Sequence, residues 1–269
     1  MLRHYLTDTG HPARLFRGGE PGFCLPSVAE ALRFGALWQD SAGSTPGAVG
    51  STVGRMGFIA GLSSIASQGT ATKRPLLTTD SKSIPLLRFD GIDDCLVTPS
   101  IDFSACDAVT VIAGLRKAAV IEGTVCEHGV VLSPGAFGLF APVNSSNSNN
   151  HIYMQTRGGA DGGWFYDIPA GSSSVFASVL VGSETTRIAK VPAYALNGNS
   201  LAARYAGGAD DPIGAGAFQN AALNIGQRNA SVYAFYGDLY SLTVIGRRLS
   251  NAEMLATSRW INQQMGGVY

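Results

Sequence analysis

The sequence predicts an all-β protein, an antiparallel jelly-roll β-sandwich with one C-terminal α-helix and an extended N-terminal arm. Strand-like runs recur about every 8–12 residues with turn residues between them, which is the spacing of a sandwich. Asn197-Gly198 is a two-residue hairpin signal, because both residues tolerate positive φ. A helix-capping pattern near the C-terminus completes the prediction.

Residues 1–36 are predicted to form an arm and not a core element. Pro12, Gly18-Gly19, Pro21-Gly22 and Pro26 interrupt this segment too often for regular structure. The alternatives are a flexible terminus and an arm that docks on a neighbouring subunit. Large apolar side chains favour the docking arm, and deletion of residues 1–30 would then leave a folded sandwich. The residues expected to carry the assembly contact are Tyr5, Leu15, Phe16 and Phe23.

Residues 37–269 are predicted to form the sandwich domain. Few strong strand signals occur before residue 80, and an Asn/Ser-rich stretch at 143–150 is expected to be an exposed loop. The predicted strands are 86–90, 94–98, 109–116, 124–131, 136–141, 151–156, 163–167, 175–182, 185–190, 193–197, 200–205, 221–226 and 234–246.

A C-terminal helix is predicted over residues 250–265. Ser250 stands three residues before Glu253, which is the spacing of a capping box. Leu249 and Met254 are placed to form a hydrophobic staple across this cap. Gly266-Gly267 provides a helix stop.

Several segments resemble a known family. The run from Gly237-Asp238 to Ser250-x-x-Glu253 and the run Leu87–Val97 are similar to laminin-G-like, concanavalin A-type jelly-roll domains, which include lectins and glucanases. The segments Leu37–Pro46, Lys73–Pro75 and Arg259–Asn262 resemble structural proteins of tailed bacteriophages. The resemblance covers residues 37–267.

The resemblance implies a non-enzymatic virion protein, exposed on the particle as a capsid decoration or as part of a tail or fibre. Its partners would be other capsid or tail proteins, and it would contact host-surface glycans. By analogy with closed phage assemblies it would be a homo-oligomer, with a trimer favoured. Two alternatives remain: a carbohydrate-binding, lectin-like adhesin and a glycan-cleaving enzyme.

The charge of the chain sets limits on its partners. Nineteen basic and nineteen acidic residues cancel, so we expect no nucleic-acid binding. Only 14% of residues are charged, which fits either a surface covered by other subunits or a compact β-protein with a polar surface. The N-terminus lacks the apolar region of a signal peptide, and we expect no membrane insertion. The predicted location is a virion assembled in the host cytoplasm.

Asp90, Asp93 and Asp94 surround Gly91 and form the candidate metal site. Three carboxylates within five residues repel one another unless a cation or N–H groups intervene. Calcium is one interpretation of this cluster, and we expect no other cofactor. A tight turn whose carboxylates accept backbone N–H groups is the alternative.

The candidate glycan-binding site combines an aromatic face with hydrogen-bonding groups: Trp164 with Asn149, Asn150 and Arg157. The alternative is that Trp164 and neighbouring aromatic residues fill the core between the sheets. No catalytic residue is predicted, because the chain lacks the paired-carboxylate array of a glucanase. Glu122 and Glu127 lie five positions apart and would face opposite sides of a regular strand.

Overall fold

The structure is a computed structural model. It describes residues 10–16, 19–57, 65–106, 108–118, 122–129, 135–141, 218–229 and 232–266, together with the backbone of the strands between residues 151 and 205. Predictions that involve Tyr5, Asn149, Asn150 or the strand at 185–190 lie outside the described residues.

Short strands dominate the described chain, with two α-helices, α1 at Val28–Arg33 and α2 at Asn251–Gln264. Two 3-10 turns lie at Pro12–Leu15 and Ala71–Lys73. The strands are β1 Gly22–Leu25, β2 Leu37–Trp38, β3 Arg55–Met56, β4 Ala66–Ser67, β5 Leu76–Thr79, β6 Pro85–Asp90, β7 Leu96–Asp102, β8 Ala108–Lys117, β9 Thr124–His128, β10 Phe137–Phe140, β11 His151–Arg157, β12 Asp161–Asp167, β13 Ser173–Val181, β14 Tyr194–Leu196, β15 Asn199–Leu201, β16 Arg204–Tyr205, β17 Asn220–Ile225 and β18 Tyr236–Ile245.

The strands form two antiparallel sheets, so the predicted jelly-roll β-sandwich is confirmed. Sheet A has the order β15-β14-β13-β8-β18-β6-β5, with β1 also paired to β18. Sheet B has the order β16-β12-β11-β10-β9-β17-β7-β4-β3-β2. Neighbours in the sheets are often far apart in sequence, as expected for a jelly-roll and not for a chain of simple hairpins.

Two hydrophobic clusters hold the layers together. The larger one lies between the sheets and joins residues such as Val111 and Leu242 of sheet A to Leu223 and Leu139 of sheet B. The smaller one joins the outer face of sheet A to α2, and it includes Ile112 beneath the helix. Sheet A is therefore buried on both faces where α2 covers it.

The predicted C-terminal helix is confirmed together with its cap. The Ser250 side chain accepts from the Glu253 N–H, and the Glu253 carboxylate accepts from the Ser250 N–H. Leu249 and Met254 are both buried in the cluster beneath the helix, as a hydrophobic staple requires. Trp260 is buried in the same cluster.

The hairpin signal at Asn197-Gly198 also predicts the correct pairing. β14 and β15 flank these two residues and are antiparallel, with Leu196 opposite Asn199 and Tyr194 opposite Leu201. The short strands β2 to β5 lie in a region where the sequence offered few strand signals. They are two to four residues long, which is too short for a clear alternation of apolar and polar residues.

The N-terminal segment contributes to the sandwich of its own chain. β1 pairs with the second half of β18, from Gly22 opposite Ile245 to Leu25 opposite Leu242. Phe23 is 2% exposed and belongs to the core between the sheets. The predicted boundary between residues 36 and 37 therefore does not separate an arm from the sandwich.

The other two described arm residues pack in the same way. Leu15 is 4% exposed in the cluster beneath α2, and Phe16 packs against that cluster. His11 also attaches the N-terminal segment to the two helices. Its Nε2 lies 3.0 Å from the Glu30 carboxylate of α1, and its ring packs edge-on against Trp260 of α2. These apolar side chains were expected to contact a neighbouring subunit, but their contacts in the structure lie within the chain. The three described residues that were to form a docking arm, Leu15, Phe16 and Phe23, instead stabilise the fold itself.

Among the helices that the structure describes, none combines the length and the apolarity needed to cross a bilayer.

Truncation of Phe23 tests whether the N-terminal segment belongs to the core. Phe23→Ala should lower the free energy of unfolding by about 3–5 kcal/mol, because it leaves a cavity between the sheets. Val49 is 53% exposed, so Val49→Ala is the control and should change stability by less than about 0.5 kcal/mol. Denaturant unfolding measures both, and equal stability of the two variants would place Phe23 in a dispensable arm.

Candidate functional site

The candidate site is a cavity on sheet A, beyond the area that α2 covers. It has a volume of about 380 Å³, and its walls include Arg88, Arg116, Lys117, Tyr236 and Asp238. We call it the arginine pocket. The side chains come from β6, β8 and β18, which are neighbours in the sheet.

Strand register assembles the arginine pocket. Asp238 of β18 lies opposite Arg88 of β6 on one side and opposite Arg116 of β8 on the other. Directly opposed residues point to the same face, so the three side chains form a row across three strands. Tyr236 stands two residues before Asp238 and therefore shares its face.

The aspartate holds both arginines. Arg88 Nε donates to Asp238 Oδ1 at 2.8 Å, and Arg116 Nε donates to Oδ2 at 2.9 Å. One Nη of each arginine also bonds to Asp238. The Asp238 side chain is 4% exposed, whereas those of Arg88 and Arg116 are 42% and 34% exposed. The carboxylate thus lies at the base of the row and the guanidinium groups reach the surface.

The pocket keeps a positive charge. Hydrogen bonding to Asp238 raises the pKa of Arg88. Burial opposes the charge of Arg116, but the hydrogen bond and the negative charge of Asp238 together outweigh burial and raise the pKa of Arg116 as well. Both guanidinium groups are therefore charged beside the Asp238 carboxylate. Burial lowers the pKa of Lys117 to about 8, but this residue follows Arg116 in β8 and its side chain points to the other face of the sheet.

Asp238 is the one carboxylate among the described residues that line the pocket. Its two oxygens accept four hydrogen bonds from the arginines. Oδ1 accepts from Arg88, and Oδ2 accepts from both arginines. The pocket thus offers hydrogen-bond donors beside an aromatic ring.

A buried ion pair fixes the loop that leads into Tyr236. Arg228 Nε donates to Glu127 Oε1 at 2.9 Å, with side chains 10% and 3% exposed. The Asn229 N–H donates to the other oxygen of Glu127 at 3.2 Å. The Arg228 guanidinium also lies 5.1 Å from the ring centre of Phe140 and 5.3 Å from that of Tyr233. Sheet B thus anchors a loop whose end forms a wall of the pocket on sheet A.

The predicted metal site is a compact acidic turn beside the pocket. Oxygens of Asp90, Asp93 and Asp94 lie within 4.8 Å of one another. Asp94 accepts from the Asp90 N–H at 3.0 Å, and Asp90 accepts from the Ile92 N–H at 2.8 Å. These are the hydrogen bonds of the tight-turn alternative. Calcium binding by the three carboxylates stays a prediction.

Gly91 allows this turn to approach Tyr236. Its φ is +76°, and a Cβ atom at this position would lie 2.7 Å from the Cβ of Tyr236. Both the backbone conformation and the close approach favour glycine. The Phe-Asp-Gly-x-Asp-Asp motif therefore has a structural role in packing the turn against the pocket wall.

The predicted glycan-binding residues are only partly placed. Trp164 on β12 pairs with Met154 of β11 and Tyr205 of β16, and Arg157 pairs with Asp161. The two residues are thus three register positions apart in one hairpin. Their side chains lie outside the described part, so the site that they would form with Asn149 and Asn150 stays a prediction.

The sequence analysis did not identify the arginine pocket. Arg88 and Asp238 are 150 residues apart, and Arg116 and Asp238 are 122 apart. Each residue alone looks like an ordinary charged position in a strand. The Gly237-Asp238 motif was recognised as a feature of the fold, but the cross-strand register was needed to show what Asp238 binds.

No protein-family model matches the chain, and no curated protein matches it. Solved structures do match. Domain 4 of an extracellular arabinanase from Geobacillus stearothermophilus, in complex with arabinotriose, is 14% identical; the match covers 71% of this chain and 82% of that one, with a TM-score of 0.47. The CBM40 domain of the Ruminococcus gnavus IT-sialidase is 16% identical over 58% of this chain and 84% of that one, with a TM-score of 0.42.

Trypanosoma rangeli sialidase in complex with the inhibitor DANA is 15% identical, with a TM-score of 0.47. That match covers 89% of this chain but only 38% of the sialidase. The matched structures are carbohydrate-binding and glycan-active proteins with β-sandwich domains. TM-scores below 0.5 at these identities transfer neither a ligand nor an activity to this chain.

Neutralising Glu127 tests the anchor of the loop. Glu127→Gln should lower the free energy of unfolding by about 3 kcal/mol, because Arg228 then stays buried without its counter-charge. The Glu20–Arg247 pair is more exposed, so Glu20→Gln should cost less than about 1 kcal/mol. Chemical denaturation of the two variants measures the difference, and an equal cost would mean that the buried pair contributes no more than a surface pair.

Asp94 should make the protein less stable as the pH rises. Burial raises its pKa from 3.8 to about 6, with the charges of Asp90 and Asp93 adding to the shift. Ionisation of Asp94 therefore costs more in the folded chain than in the unfolded one. The resulting contribution to stability is present below pH 4 and is lost as the pH rises to 6, by about 1–2 kcal/mol after allowance for solvent screening.

Asp94→Asn should remove this loss, because the amide keeps an acceptor for the Asp90 N–H but does not ionise. Thermal unfolding between pH 4 and pH 7 measures the effect. Hydrogen bonds from Ser104 lower the pKa of Asp102, so Asp102→Asn should remove a dependence of the opposite sign. Identical pH profiles for wild type and Asp94→Asn would contradict the raised pKa.

Added calcium should raise the melting temperature of the wild type and not of Asp94→Asn if the three carboxylates bind it.

Proposed function

We propose that this protein is a non-catalytic carbohydrate-binding domain and that the arginine pocket holds the sugar. The observation that carries the proposal is the position of Tyr236. Tyr236 is 43% exposed at the wall of a cavity in which Arg88 and Arg116 present hydrogen-bond donors. An exposed aromatic side chain beside fixed polar groups is the combination that sugar recognition needs.

The chemistry of a sugar fits both parts of this wall. A pyranose ring has an apolar face of C–H groups, which packs against an aromatic ring, and a rim of hydroxyl groups that accept hydrogen bonds. The volume of about 380 Å³ falls within the ~300–1,000 Å³ that is usual for small-ligand pockets. One or two sugar residues would occupy such a cavity.

The pairing of Asp238 with two arginines supports binding without hydrolysis. Most glycoside hydrolases use two carboxyl groups about 5–9.5 Å apart, one of which gives or takes a proton. The described lining of the pocket has one carboxylate, and two arginines occupy it. We therefore propose a binding protein in preference to a glycan-cleaving enzyme.

The sequence resemblance suggests where such a domain would work. On the surface of a tailed-phage virion, as a capsid decoration or part of a tail or fibre, it would act as an adhesin for host-surface glycans. A homo-oligomer, with a trimer favoured, would multiply a weak single-site affinity. This placement rests on the resemblance alone.

Replacement of Tyr236 tests the sugar-binding surface. Tyr236→Ala should weaken binding to the glycans that the wild type recognises on an array by roughly tenfold, the loss expected for one aromatic contact worth about 1.4 kcal/mol. Tyr236→Phe keeps the ring and should bind within about threefold of the wild type.

Val49 provides the control. It is 53% exposed, compared with 43% for Tyr236, and it does not line the pocket. Val49→Ala should therefore leave glycan binding unchanged. A wild-type protein that binds no glycan, or equal binding by Tyr236→Ala and Val49→Ala, would refute the proposed site.

A further inference from the structure

We infer that the arginine pocket selects a negatively charged sugar, one that carries a carboxylate or a sulfate ester. This inference rests on the proposed function, since it names the class of glycan that the same pocket would bind. Its basis is the row formed by Arg88, Asp238 and Arg116.

The row leaves hydrogen-bond donors facing the ligand. Each arginine uses Nε and one Nη for Asp238. The other Nη of each arginine has no hydrogen-bond partner among the described residues. Because Asp238 is 4% exposed and bonds to both arginines, the accessible groups of the row are donors and not acceptors. A ligand must supply the acceptors.

The charges also favour an anion. The two guanidinium groups and Asp238 sum to one positive charge. The nearest carboxylate along β6 is Asp90, which does not line the cavity and accepts from the Ile92 and Asp93 N–H groups in its own turn. On the other side, Asp80 accepts from the Tyr240 hydroxyl at 3.1 Å. Neither acid lines the pocket, although Asp90 lies opposite Tyr236 and places a carboxylate at the pocket's edge.

Asp238 also prepares the arginines for binding. A free arginine side chain loses rotamer freedom when it binds, but these two are already held by hydrogen bonds to the sheet. Charge-assisted hydrogen bonds from guanidinium to an oxyanion are about twice as strong as those between neutral groups. A carboxylate or sulfate in the pocket would therefore bind with a more favourable free energy than a hydroxyl group at the same place.

The experiment compares matched ligands on the wild-type protein, so it needs no variant to fold. The pairs are polygalacturonate with its methyl ester, a sialylated oligosaccharide with its asialo form, and dextran sulfate with dextran. At least one charged member should bind at least tenfold more tightly than its neutral partner, and the difference should shrink as salt screens the charge. The first two pairs test a carboxylate, and the third tests a sulfate ester.

Two variants locate the effect. Arg116→Lys keeps the charge but loses the planar fork, and Arg88→Gln loses the charge. Both should reduce the charged-to-neutral ratio by at least threefold. Arg248 is exposed and lies outside the pocket, so Arg248→Gln removes the same charge and should leave the ratio unchanged. Circular dichroism confirms that each variant is folded.

The outcomes separate this inference from the proposed function. Equal binding to both members of every pair, lost in Tyr236→Ala, would keep the sugar-binding site and refute charge selection. A charged-to-neutral ratio that falls equally in Arg248→Gln and Arg88→Gln would refute it as well, because the preference would then come from the overall charge. Failure of every probe to bind would refute both proposals together.

Discussion

The structure depends on the pairing of one long strand, β18, with three neighbours. Along one edge it bonds to β8, and along the other it bonds first to β6 and then to β1. β18, which leads into α2, therefore joins β1 near the N-terminus to β6 and β8 from the middle of the chain. Its inward residues supply the core between the sheets, and its outward residues meet either α2 or the arginine pocket. The fold and the candidate site thus share one structural element.

A register shift in β18 separates these two surfaces. The pairing with β8 moves by one residue between Leu239 and Ser241. Before this irregularity, Tyr236 and Asp238 face the pocket; after it, Ile245 faces the cluster beneath α2. Bulges of this kind commonly re-aim side chains near functional sites. Here the irregularity ends the row of charged groups and begins the apolar surface that the helix needs.

Local patterns in the sequence predicted the parts of the fold that depend on local chemistry. The Ser250–Glu253 capping box and the long strands β8 and β18 depend on patterns within a few residues, and both were found where expected. The structure of the N-terminal segment was harder to predict from the sequence. Its proline and glycine residues suggest an irregular chain, and Phe23 enters the core only because β1 pairs with the distant β18. The arginine pocket was hardest. Its three charged residues contact one another only because the register of three strands places them side by side on one face of sheet A.

The pairing of β1 with β18 also has a consequence for how the chain reaches its folded state. Cys24 and Thr243 face one another across this ladder although 219 residues separate them in sequence. Contacts between such distant residues slow folding, because a long loop must close before any contact stabilises it. During synthesis the earlier strands must wait for β18 to leave the ribosome, with the edges of β6 and β8 open to other chains. The time before β18 arrives is therefore the interval in which this protein is most exposed to aggregation.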